Sequence, residues 1–360
     1  MEFVNNPPSL PGTAPLKILF LSHKFYPDIG GIEVNSEILA NYFSGFGAEV
    51  HLVTWTADKN KKTYPFKVIR NPNIFNLLKE HKWADVVFEN NPSLRLSWPV
   101  CITQKKHVIA VRTWINRPDG SVDFQDILKL KWLRNANAVI AISQEVKKAT
   151  FSKSIVIGNP FRDNLFREIN KNKDRDFVFL GRLVSDKGAD MAINLLKMLN
   201  AERNNGCEHL TLTIIGDGPE RNYLEKMVHE FSLNGLVHFT GYLGGETLVK
   251  CLNRHKYLLV PSRWREPFGN IALEGMACGC LPIVSDGGGL PDAVGNAGVV
   301  FERNNIASLY EKVKDVLENP ILELGLRNNF ANHLKAHTSR VISKQYFELI
   351  KDCFPRNGRN

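Results

Sequence analysis

Short apolar runs closed by turn residues alternate along this chain with longer stretches of helical periodicity. Residues 16–21, 50–55, 67–70, 85–88, 108–111 and 138–142 read as strands, with helices over 32–43, 74–81 and 127–133 between them. Residues 155–161 end in the turn signal Asn159-Pro160, and the polar, charged run 162–175 reads as a linker. A second series follows. Strands over 177–180, 212–215, 237–239, 257–260, 283–285 and 299–301 alternate with helices over 191–199, 221–231, 271–277, 306–318 and 322–334. Strands this apolar, separated by helices, are covered on both faces, which predicts parallel, doubly wound α/β sheets. The last helical pattern, 339–354, carries Val341, Ile342, Tyr346, Phe347, Ile350 and Phe354 on one stripe and needs a surface to cover it. The pattern divides the chain into a disordered, Pro-rich start (1–15), a first domain (16–161), the linker (162–175), a second domain (176–337) and a final helix (338–355).

Composition agrees with two full cores: 360 residues, 43% of them hydrophobic. No run of eighteen apolar residues suits a membrane span, and residues 1–15 lack the basic start and apolar centre of a signal peptide. Six cysteines, Cys101, Cys207, Cys251, Cys278, Cys280 and Cys353, follow neither a disulfide framework nor a metal-ligand spacing. The expectation is a reduced, cytoplasmic protein with no bound metal. Charge is uneven: residues 1–160 hold 20 Lys and Arg against 13 Asp and Glu, and the remainder 26 against 24. The first half is thus the basic one, suited to an anionic partner such as a phosphate-linked lipid or an acidic membrane surface. The basic residues are not interleaved with aromatics on a recognisable motif, which disfavours nucleic acid.

The densest motif lies at 261–282, Pro-Ser-Arg-Trp-Arg-Glu-Pro-Phe-Gly-Asn-Ile-Ala-Leu-Glu-Gly-Met-Ala-Cys-Gly-Cys-Leu-Pro. The layout is strand, acid (Glu266), glycine turn, helix, acid (Glu274), with Asn270 read as the N-cap and Gly279 as the stop. A helix opening at the C-terminal edge of a parallel strand aims free N–H groups and a positive dipole end at an anion. Two carboxylates bracketing such a site suit a ligand with phosphate in the middle and hydroxyls on either side, the shape of a nucleotide sugar. Other loops fit the same guest. Gly30-Gly31 forms a strand–glycine–helix turn without the Gly-x-Gly-x-x-Gly spacing of dinucleotide binders. Gly181-Arg182-Leu183 and Asp186-Lys187-Gly188 place two cations above a strand end.

These strings together, Pro261-Ser-x-Trp-x-Glu-Pro-Phe-Gly with Glu266-x7-Glu274, Gly-Arg-Leu with Lys-Gly, and Gly216-x-Gly218-Pro219, resemble glycosyltransferase family 4, retaining enzymes of the GT-B fold. The resemblance covers residues 16–354 and is strongest over 177–290. It implies two Rossmann-like domains facing a cleft, with the final helix crossing back to the first. It implies a nucleotide diphosphate-sugar donor, UDP- or GDP-linked, on the second domain. Gly30, Gly31, Arg182 and Lys187 would meet the diphosphate, as would the stretch Phe268, Gly269, Asn270, Ile271. Gly216 and Gly218 would lie near the nucleotide, and Tyr242 and Leu243 beside the base. Glu266 would hold the sugar hydroxyls and Glu274 the ribose. The acceptor, a glycan, a lipid-linked sugar or a small molecule, would enter over the basic domain, with peripheral contact to an anionic membrane through Lys105, Lys106, Lys129 and Lys131. No cofactor is implied. Many relatives carry a His after the strand at 108–111, where this chain has Arg112-Thr113-Trp114; Arg112 or Trp114 then takes over the contact to sugar or acceptor. Two other readings share these residues: a nucleotide-sugar epimerase on the same fold, which needs no acceptor, and a non-catalytic nucleotide-binding protein.

Overall fold

The computed structural model describes residues 14–28, 30–58, 62–115, 121–203 and 208–354; residues 1–13, read as disordered, and Cys207 lie outside them. The chain forms two compact units, Met1–Pro160 with Ser339–Asn360, and Phe161–Thr338. Each is a parallel sheet with helices on both faces.

In the first unit, β1 (Lys17–Leu21), β2 (Glu49–Thr54), β3 (Lys67–Arg70), β4 (Val86–Asn90), β5 (Lys106–Val111), β6 (Ala138–Ala141) and β7 (Ile155–Val156) make one sheet in the order β3-β2-β1-β4-β5-β6-β7. Period-two alternation sorts each strand between two cores. Ile18 and Phe20 point to one face with Val86 and Phe88, whereas Leu19 and Leu21 point to the other with Val87. The first core is aromatic: Phe88 meets Phe20 and Phe43 edge-on at 4.9 and 5.7 Å. The helix Ser339–Asp352 closes it. Its stripe Ile342, Tyr346, Phe347 and Ile350 is buried there, with Phe347 5.8 Å from Phe43 of the helix Gly31–Gly45. The final helix therefore belongs to the first unit, as the resemblance implied, and its apolar stripe is covered there.

In the second unit, β8 (Arg175–Leu180), β9 (Leu212–Ile215), β10 (Val237–Gly241), β11 (His255–Val260), β12 (Leu281–Ser285) and β13 (Val299–Phe301) lie in the order β10-β9-β8-β11-β12-β13. Strand order reverses between β8 and β11, and in doubly wound sheets the C-terminal edge at such a reversal is where ligands are taken. Residues 162–175, read as a linker, lie along this unit, and the last of them, Arg175, opens β8. Phe166 is buried, Arg167 pairs with Glu246, Lys173 donates to the Cys278 carbonyl, and the Ile169 amide donates to Asn253 Oδ1 at 2.7 Å.

Helices over Leu94–Ser97, Val100–Thr103, Gln144–Thr150, Gly245–Leu252 and Leu290–Val294 fall outside the sequence expectation. They span four to eight residues, too short for periodicity to register. The expected helix over 322–334 is two, Pro320–Asn328 and Phe330–Ala336, parted at Asn329, whose side chain donates to the Asn296 carbonyl at 2.9 Å. Among the described residues no helix is long and apolar enough to cross a membrane.

Each unit buries a neutral histidine. His81 Nδ1 bonds the Leu77 carbonyl at 2.8 Å, and His255 bridges the Cys251 carbonyl and Thr213 Oγ1, both at 2.8 Å. Burial pushes both pKa values down to about 4 from 6.5. Below pH 6.5 the unfolded chain binds protons that the fold refuses, so their contribution is full above 6.5 and is lost as pH falls through 4. Each residue should cost about 1.4 kcal/mol per pH unit across that window. Scanning calorimetry should show falling unfolding temperatures from pH 6.5 to 4.5, and His255→Gln should flatten the trend for the second unit. Unfolding temperatures that hold constant to pH 5 would count against neutral burial.

Candidate active site

The C-terminal sheet edge of the second unit gathers most of the sequence candidates, because five consecutive strand–loop junctions end there. After β8 the chain makes the turn Gly181-Arg182-Leu183, then a 3₁₀ turn Ser185–Lys187, then Gly188 in the left-handed region at φ +74°. A side chain at Gly188 would overlap the carbonyl oxygen of Pro261, the first residue after β11. Glycine here lets the two loops touch backbone to backbone. Four further bonds fasten them: the Arg263 and Trp264 amides donate to the Asp186 carbonyl at 2.8 and 3.0 Å, and the Arg263 guanidinium grips Asp190 with two bonds of 2.7 and 2.6 Å.

That fastening brings Lys187 and Glu266 together. The Lys187 ammonium donates to Glu266 Oε1, and the Ser262 hydroxyl lies 3.1 Å from the same oxygen. The pair is partly open to solvent, 24% and 18% exposed. Two of the three ammonium protons and the second carboxylate oxygen remain for other partners. The loop after β12 fixes Glu266 from behind. Gly289 donates to its carbonyl at 2.7 Å, and a side chain on Gly288 (φ +75°) would strike that same oxygen.

The helix beside it runs Asn270–Ala277, with Gly269 as N-cap at φ +110° and no side-chain cap bond. The cap is thus one residue earlier than the sequence suggested, and Asn270 is the first helical residue. The shift follows from packing: a Cβ at Gly269 would collide with Leu290, so a glycine is required at the turn itself. Phe268 is buried, its ring 6.0 Å from that of His337, so only its backbone faces outward chemistry. Glu274 lies one turn further along and accepts from Arg162 Nε and Nη2, both at 3.0 Å. Burial raises its carboxyl pKa above the ordinary range against the opposing pull of Arg162. Arg162 went unnoticed because a charged run in sequence reads as solvated.

The neighbouring turns fit by the same device. A side chain at Gly216 (φ +138°) would hit the Gly181 carbonyl, and one at Gly218 the Leu183 carbonyl. Arg182 is exposed, and its side chain makes no hydrogen bond or ion pair among the described residues. Tyr242, after β10, is 79% exposed, and Leu243 is half-buried.

The remaining diphosphate and sugar candidates, Gly30, Gly31, Arg112 and Trp114, belong to the first unit. Gly30 caps the helix Gly31–Gly45 in extended geometry, with φ −179°. A Cβ there would meet the Glu33 carboxylate, which folds back over this N-terminus. The helix dipole therefore already has a negative group from its own first turn. Arg112 is buried rather than presented: Nε donates to Asn90 Oδ1 at 2.6 Å, Nη1 to Asn159 Oδ1 at 2.7 Å, and the guanidinium stacks on Tyr346 at 4.9 Å. It braces the ends of β4 and β5 against the final helix, so a direct sugar contact from its side chain is not what the structure shows. Among the described residues no group of three or more His, Cys, Asp or Glu is placed to hold a metal ion.

Residues 161–336 match the family of glycosyl transferases group 1. The matched stretch contains Arg182, Lys187, Glu266 and Glu274. Over 204 residues the chain is 35% identical to an uncharacterized glycosyltransferase of Methanocaldococcus jannaschii, covering 54% of this chain and 50% of that one. It is 31% identical over 183 residues to the 2-deoxystreptamine glucosyltransferase of Streptomyces kanamyceticus, covering 46% of each. The chain spans between 34% and 63% of the length of the first curated relatives it matches. Among solved structures, Anabaena HepE in complex with UDP superposes with a TM-score of 0.76 at 18% identity, over 94% of this chain and all of that one. That likeness is one of fold: two parallel α/β domains of the GT-B type.

Proposed function

We propose that the chain transfers a sugar, with retention at its anomeric carbon, from a nucleotide diphosphate-sugar to an acceptor hydroxyl, in the manner of family 4. The observation that carries this reading is the Lys187–Glu266 pair at the strand-order reversal, beside a glycine-capped helix start and the unpaired Arg182. A cation, a helix start and a carboxylate at one sheet edge support a reading in which a diphosphate lies next to a sugar.

In the proposed step the bond between C1 and the β-phosphate oxygen breaks, and its electron pair leaves with the diphosphate. The acceptor oxygen bonds C1 on the same face, and its proton passes to the departing phosphate oxygen. Negative charge grows on the diphosphate as positive charge grows on the ring. Lys187, Arg182 and the amides at Gly269 and Asn270 favour the first, and Glu266 favours the second, so all act more strongly in the transition state than before it. Glu274, facing Arg162, is assigned to the ribose hydroxyls, and Tyr242 and Leu243 to the base edge. HepE is also described in complex with UDP-glucose, which makes UDP-hexoses the first donors to try and GDP-sugars the second. A cytoplasmic setting, where such donors are made, fits cysteines that are free among the described residues.

A thermal-shift panel of nucleotide sugars tests the reading, since a ligand that binds the fold stabilises it by RT ln(1 + [L]/Kd). One donor class should raise the unfolding temperature, and Arg182→Ala should weaken that donor by about 10-fold, the loss of one charge-assisted contact. The Arg182 side chain has no partner among the described residues, so the variant should melt like wild type without ligand. No shift from any UDP- or GDP-sugar would sink the proposal.

A further inference from the structure

We propose that the outward face of the helix Phe124–Arg134, in the first unit, docks on an anionic phospholipid surface. The helix is held firmly on its inner side. Asp123 and Asp126 form a reciprocal capping box, Leu133 is buried, and the Trp132 indole donates to Glu89 Oε2 at 3.0 Å. Its outer side is therefore a fixed surface, and it is apolar. Phe124, Ile127 and Leu128, spaced one turn apart, are 72%, 43% and 37% exposed, and Val122 just before them is 46% exposed. Single exposed apolar residues are ordinary; three large ones contiguous on one rigid helix face mark a contact surface.

Charge selects the occupant. The same face continues, one and two turns on, into exposed Lys131 and Arg134. The two acids of the helix are turned into the capping box, with Asp126 buried, and so do not offset these cations. Apolar residues followed by cations with no outward acid suit the boundary of a bilayer carrying anionic headgroups, where the rings and aliphatic chains enter and the ammonium and guanidinium stay at the surface. A second copy of the chain fits less well, because self-pairing would set Lys131 and Arg134 against their own copies. The helix joins parallel strands β5 and β6 and so runs back antiparallel to them. Its apolar end therefore lies at the C-terminal edge of the sheet, the edge where doubly wound sheets take their ligands. The docking surface itself does not depend on the transferase reading; that a lipid held there is the acceptor does.

The test is co-sedimentation of the full chain with vesicles of phosphatidylcholine alone and of phosphatidylcholine mixed with phosphatidylglycerol. Wild type should sediment with the mixed vesicles at low salt and progressively less as salt rises. Phe124→Ser with Ile127→Ser and Leu128→Ser should lower the partition coefficient at least ~10-fold. Lys131→Gln with Arg134→Gln should lower it about 10-fold or more on anionic vesicles only. The UDP-induced thermal shift should be the same in every variant. A triple variant that loses this shift is replaced by Phe124→Ser alone, which leaves the inner face intact and should still bind vesicles several-fold less. Absence of the shift in wild type as well would count against the donor reading and leave the vesicle result standing. The inference is overturned if wild type ignores anionic vesicles, if the apolar variants bind as wild type does, or if light scattering shows a wild-type dimer that they abolish.

Discussion

Glu266→Gln is expected to lower turnover by about 100- to 1000-fold while changing donor affinity by no more than a few-fold. Glutamine keeps the shape and a hydrogen-bonding oxygen but removes the negative charge. In the resting pair that charge holds the Lys187 ammonium. In transfer it would face a sugar ring becoming positive, so its loss falls on the transition state more than on the bound donor. The contrast is Glu274→Gln. This carboxylate faces Arg162 and is assigned to ribose, which does not change charge during reaction. Its replacement should weaken donor binding by about 10- to 100-fold, the worth of one charged acceptor, with the smaller effect on turnover. Steady-state kinetics of both variants decide the matter. Wild-type turnover in Glu266→Gln, or the same pattern in both, would refute this division of labour.

Gly188→Ala should be as damaging without touching a charged group. The residue sits at φ +74°, where a side chain costs about 1–3 kcal/mol, and the new methyl would also overlap the Pro261 carbonyl. Backbone on both sides leaves no flexible side chain to yield. The β8 and β11 loops must then part, which separates Lys187 from Glu266. The expected result is a destabilisation of about 3 kcal/mol or more, or loss of the donor-induced thermal shift if the loops separate without unfolding. Gly325→Ala is the control. It lies within the helix Pro320–Asn328 with open space around it, so alanine should be tolerated and should add up to ~1 kcal/mol. Near-equal stability and donor response in Gly188→Ala and wild type would mean that the loop contact does not set the site.

The sheets were legible because central strands covered on both faces leave apolar runs, as β1, β4, β5, β11 and β12 do; the edge strands β3 and β10, without a fully buried residue, give a weaker signal. The final helix was legible for a related reason: a stripe of six apolar residues has to be covered, and Tyr346 and Phe347 are. What the sequence hides is context. Arg112 reads as a contact to sugar or acceptor and Arg162 as part of a charged linker, yet one is buried between asparagine carbonyls and the other holds Glu274. Asn270 is a good N-cap by type, but the need for space against Leu290 places the cap at Gly269. Ile127 and Leu128 belong to a helix pattern, 127–133, whose apolar side would ordinarily face inward; the fold turns them out, and starts the helix three residues earlier, at the exposed Phe124. The meeting of Lys187 with Glu266, 79 residues apart, follows only from the strand order that makes β8 and β11 neighbours.

Product analysis with the donor found by thermal shift tests glycosyl transfer most directly. The wild-type chain should release nucleoside diphosphate in step with appearance of the sugar on an added acceptor, in the same anomeric configuration as in the donor, and should leave the donor unaltered when acceptor is withheld. Conversion of the donor to its epimer without acceptor, or firm binding with no diphosphate released above the protein-free rate on any acceptor offered, would contradict transfer at this site.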